Sequence, residues 1–95
     1  MESGLENVSL TDWRKRLAFR SWHRGTKEAD LLVGCFADAN LATLDSEQLA
    51  RFEALLGNPD PDLFAWITGL REVPSEFDND IMILLKQVQL RPLSI

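Results

Sequence analysis

Leu44-Asp45-Ser46-Glu47-Gln48-Leu49-Ala50-Arg51-Phe52-Glu53-Ala54-Leu55-Leu56-Gly57-Asn58-Pro59-Asp60-Pro61-Asp62-Leu63-Phe64-Ala65-Trp66-Ile67 spells out two helices and the turn between them. Asp45 followed three residues later by Gln48 is a capping-box start: the acid accepts an orphan amide of the first turn, and the Gln side chain reaches back to the cap. Leu44 and Leu49 stand where a hydrophobic staple would pin the entering chain. Leu49, Phe52 and Leu56 then share one face. Gly57 fits the position just past the helix end, and Pro59 bars continuation. Asp60-Pro61 opens the next helix as an N-cap followed by proline at the first helical position, where a missing amide does no harm. Leu63, Trp66, Ile67 and Leu70 form its buried stripe with Phe64 beside it, and Gly69 marks an early end.

The helical period extends in both directions. Upstream, a helix is expected from about Thr26 to Ala39, with Leu31, Leu32, Cys35, Phe36 and Ala39 as its apolar stripe. Glu28 falls on that same stripe, one turn earlier. Before it, a helix over about residues 9–22 starts at a weak Ser9–Asp12 box and turns Leu10, Trp13 and Leu17 inward. Downstream, Arg71 to Pro74 is a connector. Ser75 with Asp78 caps a fifth helix whose stripe is Phe77, Ile81, Leu84, Leu85 and Val88, and Pro92 ends it. No stretch alternates apolar and polar residues between turn signals, so no sheet is expected. The fold class read from the sequence is all-α, a compact five-helix bundle in a single domain. Residues 1–8 are expected to be a flexible N-terminus, 9–91 the helical domain and 92–95 a C-terminal tail.

The 95 residues are 45% hydrophobic and 26% charged, ordinary for one small globular domain. Cys35 is the only cysteine, which rules out an internal disulfide and a cysteine-rich metal site; on its stripe it reads as a small hydrophobe. No apolar run is long enough to span a membrane. The opening Met1-Glu2-Ser3-Gly4-Leu5-Glu6 is acidic, unlike secretory and transit leaders, so the chain reads as a cytoplasmic, bacterial protein. There is no Gly-x-Gly-x-x-Gly and no P-loop, and the single histidine, His23, has no metal-ligand company. Glu28 and Asp30 are two apart and would point to different faces of a helix, so they make no acid–base couple. These observations argue against an autonomous enzyme.

Charge is distributed unevenly. Residues 14–27 carry +6 from Arg14, Lys15, Arg16, Arg20, Arg24 and Lys27, whereas residues 1–13 carry −3 and residues 28–95 carry −8. A basic belt on an acidic body suits an oriented partner surface, although a solvated helix face would look the same.

The belt ends in Phe19-Arg20-Ser21-Trp22-His23-Arg24-Gly25-Thr26-Lys27-Glu28-Ala29-Asp30. Its core, Arg24-Gly25-x-x-Glu28 followed closely by Asp30, resembles the signature of the succinate dehydrogenase FAD assembly factor family, the flavinators. A second block, Leu55-Leu56 and then Asp60-Pro61-Asp62-Leu63-Phe64-x-Trp66, is similar to the family as well. The resemblance covers roughly residues 13–90. Thr26 and Ala29 depart from it, since larger apolar residues often stand at both positions. The resemblance implies a five-helix bundle that binds the flavoprotein subunit of succinate dehydrogenase and promotes covalent attachment of FAD. Fumarate reductase flavoprotein would be a possible second client. It further implies that the chain is a monomer pairing one-to-one with its client and that it has no cofactor of its own, FAD belonging to the partner.

The residues expected to meet the partner are Arg20, Trp22, His23, Arg24, Gly25, Lys27, Glu28 and Asp30, with Arg24 and Glu28 near the partner's FAD. Each has a plainer reading. Gly25 suits any turn that needs φ > 0 or close backbone approach. Arg24 offers a fork for carboxylates or carbonyls, or a bridge to Glu28. Glu28 and Asp62 favour the dipole at their helix starts. Trp13 and Trp66 read as core, while Trp22 beside the belt could be an interface anchor. Two other functions fit the sequence without the resemblance. One is a regulatory, antitoxin-like protein–protein module. The other is a helical nucleic-acid-binding module using residues 14–27, which the acidic balance disfavours.

Overall fold

Asp45 Oδ1 accepts from the Gln48 amide at 2.9 Å, and Gln48 Oε1 accepts from the Asp45 amide at 3.0 Å, so the capping box is formed in both directions. It starts α3 (Ser46–Leu56). The structure, a computed structural model, describes the backbone of residues 2–90 and the side chains of residues 10–88. Around α3 stand α1 (Glu2–Trp22), α2 (Lys27–Asn40), α4 (Asp60–Thr68) and α5 (Asp80–Leu90), with 3-10 turns at Leu41–Thr43 and Ser75–Phe77. The expected all-α five-helix bundle is therefore the fold, with no strand among the described residues.

The core forms where the helices converge. Leu44 and Leu49 are both buried, as the staple requires, and Phe36 and Phe52 meet at its centre with ring centroids 5.0 Å apart. Leu17, Leu56, Leu63, Trp66, Ile67, Ile81 and Leu85 pack around them. Arg14 of α1 donates to the Leu41 and Leu44 carbonyls at 2.9 and 2.8 Å, fixing the first helix to the α2–α3 connection.

Several sequence expectations need correction. α1 begins at Glu2, not near Ser9. The expected tail, residues 92–95, lies outside the described residues. The buried face of α2 is Ala29, Val33, Gly34, Phe36 and Ala37, whereas Leu31 and Ala39 are exposed and Cys35 is half-buried. The small residues let α1 approach closely, so they, and not the larger Leu31, mark the contact. Glu28 is consequently on the exposed side and off the buried face.

α4 begins one residue early, with Pro59 at the cap and no side-chain cap bond; the Asp60 carboxylate is engaged elsewhere. Gly69, at φ 84°, turns the chain out of α4, which leaves Leu70 72% exposed instead of in the core. Ser75 does not cap the last helix. Residues 75–77 make one 3-10 turn, and Asn79 Oδ1 accepts from the Ile81 and Met82 amides at 3.1 and 3.2 Å at the start of α5.

α3 is fastened to α5 by a bidentate pair. Arg51 Nε and Nη2 donate to the two Asp80 oxygens at 2.9 and 3.1 Å, and Gln48 Nε2 donates at 3.1 Å. The Arg51 hydrogen bond, then that of Gln48, holds the Asp80 carboxyl below its ordinary range. A depressed carboxyl pKa gives stability that is present above the unfolded value, near pH 4, and lost as pH falls through the lower folded value. Both side chains are well exposed, so solvent screens the pair and the contribution is small. Thermal melts of the wild type and Asp80→Asn should differ slightly at pH 7 and converge below about pH 4. Parallel curves throughout would contradict this assignment.

Candidate partner-binding site

α1 gives way to α2 in a turn whose geometry is set by Asp30. Its Oδ1 accepts from the Arg24 amide at 2.6 Å and the Gly25 amide at 3.4 Å. Thr26 caps α2, its Oγ1 accepting from the Ala29 amide at 3.1 Å. Gly25 sits at φ 128°, a backbone conformation that side-chain-bearing residues rarely adopt. A Cβ there would meet Asp60 Oδ2 at 3.5 Å, an ordinary contact, so it is the backbone and not crowding that demands glycine.

Arg24 turns inward across the molecule. Its Nε donates to Asp60 Oδ1, its Nη1 to the Leu56 carbonyl and its Nη2 to the Asn58 carbonyl, each at 2.8 Å. Leu56 O is one of the carbonyls that a helix end leaves without an intrahelical donor, and Asp60 lies in the first turn of α4. One guanidinium therefore caps the C-terminus of α3 and holds the acid at the start of α4. Its side chain is only 10% exposed and that of Asp60 19%. Gly57 stands just past the end of α3 as expected, at φ −72°, its amide donating to the Ala54 and Leu55 carbonyls, and Arg24 serves the Leu56 carbonyl beside it.

The sequence-predicted residues thus divide. Arg24 and Asp30 face inward, and Arg24 pairs with Asp60 and not with Glu28. Trp22 is half-buried over Gly34 and donates from Nε1 to Asp38 at 3.1 Å. Arg20 faces Glu53 at 3.5 Å. His23, Gly25, Lys27 and Glu28 are exposed, and the Glu28 carboxylate has no hydrogen-bond or ion-pair partner among the described residues.

Two grooves flank this turn and share Asp60. One, of about 410 Å³, is lined by Thr26, Glu28, Ala29, Pro61 and Phe64. The other, of about 370 Å³, is lined by Phe19, Arg20, His23, Arg24 and Pro59. Phe19, Pro59, Asp60, Pro61 and Phe64 were not among the residues singled out for a partner. The signal that could have found Asp60, Pro61 and Phe64 is the Asp60–Trp66 block, which was read for its helix start, its buried stripe and its resemblance to the family, and not for a partner. The amides of Arg24 and Gly25 serve Asp30, and three of the guanidinium donors serve Asp60, Leu56 and Asn58. Among the described residues no three His, Cys, Asp or Glu side chains cluster as metal ligands would.

Comparison with known proteins places the same region inside a family. The family model described as flavinator of succinate dehydrogenase matches residues 15–89. The chain is 44% identical over 73 residues to the mitochondrial succinate dehydrogenase assembly factor 2 of Dictyostelium discoideum, covering 77% of this chain and 52% of that protein. It is 43% identical over 74 residues to the FAD assembly factor SdhE of Acetobacter pasteurianus, covering 78% and 68%. The mitochondrial succinate dehydrogenase assembly factor 2 of Aedes aegypti is 39% identical over 83 residues, with 85% and 52% covered. The chain spans about half the length of the first and third of these relatives. No solved structure matches it.

Proposed function

The chain belongs to the flavinators of succinate dehydrogenase, and on that premise we propose that it is an assembly factor that binds the flavoprotein subunit and promotes covalent attachment of FAD. Its role is that of a chaperone and not of a catalyst. The observation that carries the site is the turn itself. Arg24 and Asp30 lock it from inside, while the unpaired Glu28 carboxylate and the Gly25 backbone are presented outward between two grooves. Glu28, Gly25, Lys27 and His23 meet the client; Arg24 and Asp30 hold them in place. FAD stays with the client. The chain acts in the cytoplasm, one-to-one with its client before the complex assembles, and fumarate reductase flavoprotein is a second client. No described helix is long and apolar enough to cross a membrane.

The test is deletion of the gene in its host, read by in-gel fluorescence of covalent flavin on the denatured flavoprotein. Wild type should restore the lost band. Glu28→Ala should not, although its melting should stay within about 0.5 kcal/mol of wild type because the side chain is exposed and unpaired. An unchanged band in the deletion would sink the function. Full restoration by Glu28→Ala would sink the site and leave the function standing.

A further inference from the structure

The basic belt divides into cations that hold the fold together and cations that do not. Arg14 and Arg24 are bonded to carbonyls and to Asp60. Arg20 is only loosely tied, at 3.5 Å, to a half-exposed Glu53. Lys15 and Arg16 are exposed and have no partner among the described residues. Lys15, Arg16, Phe19 and Arg20 fall at i, i+1, i+4 and i+5, which is one face of α1, and His23 follows just past the helix end. That face lies opposite Leu17, Ala18 and Ser21. At its centre Phe19 is 64% exposed, with the His23 ring stacked on it at 3.9 Å and 19°. His23 Nδ1, 2.7 Å from the Phe19 carbonyl, fixes the pair. An exposed aromatic platform ringed by three cations, on a chain of net charge −5, is a local inversion of the protein's field.

We propose that this face of α1 is a second docking surface, taking an acidic segment of the client flavoprotein with an apolar or aromatic side chain against Phe19. The inference rests on the proposed function and extends it. The groove of Phe19, Arg20, His23, Pro59 and Asp60 runs from this face to the Gly25 turn, so one client segment can reach both. Charge complementarity chooses the occupant. Two unpaired cations and one half-paired arginine suit a few carboxylates. A nucleic-acid backbone is the poorer fit, because Glu53 and Asp60 border the face and the whole chain would repel it. The charged rim would steer encounter and set orientation, while the turn supplies the specific contact.

The experiment measures association of the purified chain with the purified flavoprotein subunit over a salt series. Lys15→Glu combined with Arg16→Glu should melt like wild type, bind about tenfold more weakly or worse, and show a flatter salt dependence. Excess variant should restore the covalent flavin, which Glu28→Ala in excess should not. Wild-type affinity and salt slope in the double variant would overturn the surface, and a Glu28→Ala defect in the same assay would show that the function survives. No association by wild type would overturn both. A photo-crosslinker placed by Phe19→p-benzoylphenylalanine should capture a client segment rich in Asp and Glu; a captured segment without carboxylates overturns the proposal. So does salt-steep binding of wild type to duplex DNA that the double variant loses.

Discussion

Arg24→Ala should lower the unfolding free energy by about 2–4 kcal/mol, a fall in Tm of roughly 10–25 °C for a domain of this size. Among the described residues, the arginine is the one whose side-chain hydrogen bonds tie the α1–α2 turn to the α3–α4 turn. Its loss removes three side-chain hydrogen bonds at once, each at 2.8 Å. It also leaves Asp60 as a largely buried carboxylate without its counter-charge, and the Leu56 and Asn58 carbonyls without these donors. A buried acceptor deprived of its partner loses its desolvation energy without return, which is why truncation is worse than the small net worth of each bond. Arg24→Lys keeps the charge but presents one compact ammonium to three acceptors arranged for a planar fork; it should recover only part of the loss, leaving about 1–2 kcal/mol. Asp60→Asn should couple to it: in a double-mutant cycle the two changes together should cost less than their sum. Melting of Arg24→Ala within error of wild type would mean that the clamp is not formed in solution.

The same geometry warns against reading an Arg24 variant as a lost client contact. Gly25 holds its positive φ because Asp30 and Arg24 fix the residues on either side. A chain lacking the guanidinium would present Glu28 on a loosened turn. Flavin attachment could then fail although every client-facing side chain was still present. Arg24→Lys and Asp60→Asn separate the two cases. Both disturb the clamp, but neither removes an outward side chain, and both should lose binding in proportion to stability.

What the sequence disclosed and what it hid follow one physical divide. The capping box of Asp45 and Gln48 was legible because both partners lie within one turn. Leu17, Leu49, Phe52 and Trp66 were legible as core because large apolar side chains at helical spacing have few other places to go. The α2 face was misread because the contact is made by small residues, whose value is close approach and not hydrophobic mass. Gly57 was legible as the end of α3, but Asp60 was misread as a cap because the donor that binds its carboxylate comes from Arg24, 36 positions away in the chain. The segment 19–30 was recognisable as the proposed site. The inward turn of Arg24 and Asp30 was not, since nothing local tells a surface arginine from one whose acceptors arrive with another pair of helices.

Gly34→Ala tests that close approach directly, and its sign should depend on Trp22. Gly34 is buried in the interior of α2, with the shared bond and six-membered ring of the Trp22 indole lying on it; a methyl group there would overlap Cδ2, Cε2 and Cε3. The indole is not free to swing away, because Nε1 donates to Asp38 on the next turn of the same helix. Two terms compete. Alanine is about 1 kcal/mol better than glycine in a helix interior. Overpacking a close contact costs about 1–3 kcal/mol. With Trp22 in place the second should win, for a net loss of up to about 2 kcal/mol. In a Trp22→Ala background the overlap is gone, and the same Gly34→Ala change should stabilise by up to about 1 kcal/mol. That reversal is a coupling of about 1–3 kcal/mol, measurable by denaturant unfolding of the four proteins. Stabilisation in both backgrounds would mean that the indole moves aside at little cost, so that Gly34 does not set the distance between α1 and α2. Destabilisation in both would place the strain elsewhere than on Trp22. Only the change of sign identifies the glycine as the seat of the indole that leads the chain into the His23–Arg24–Gly25 turn.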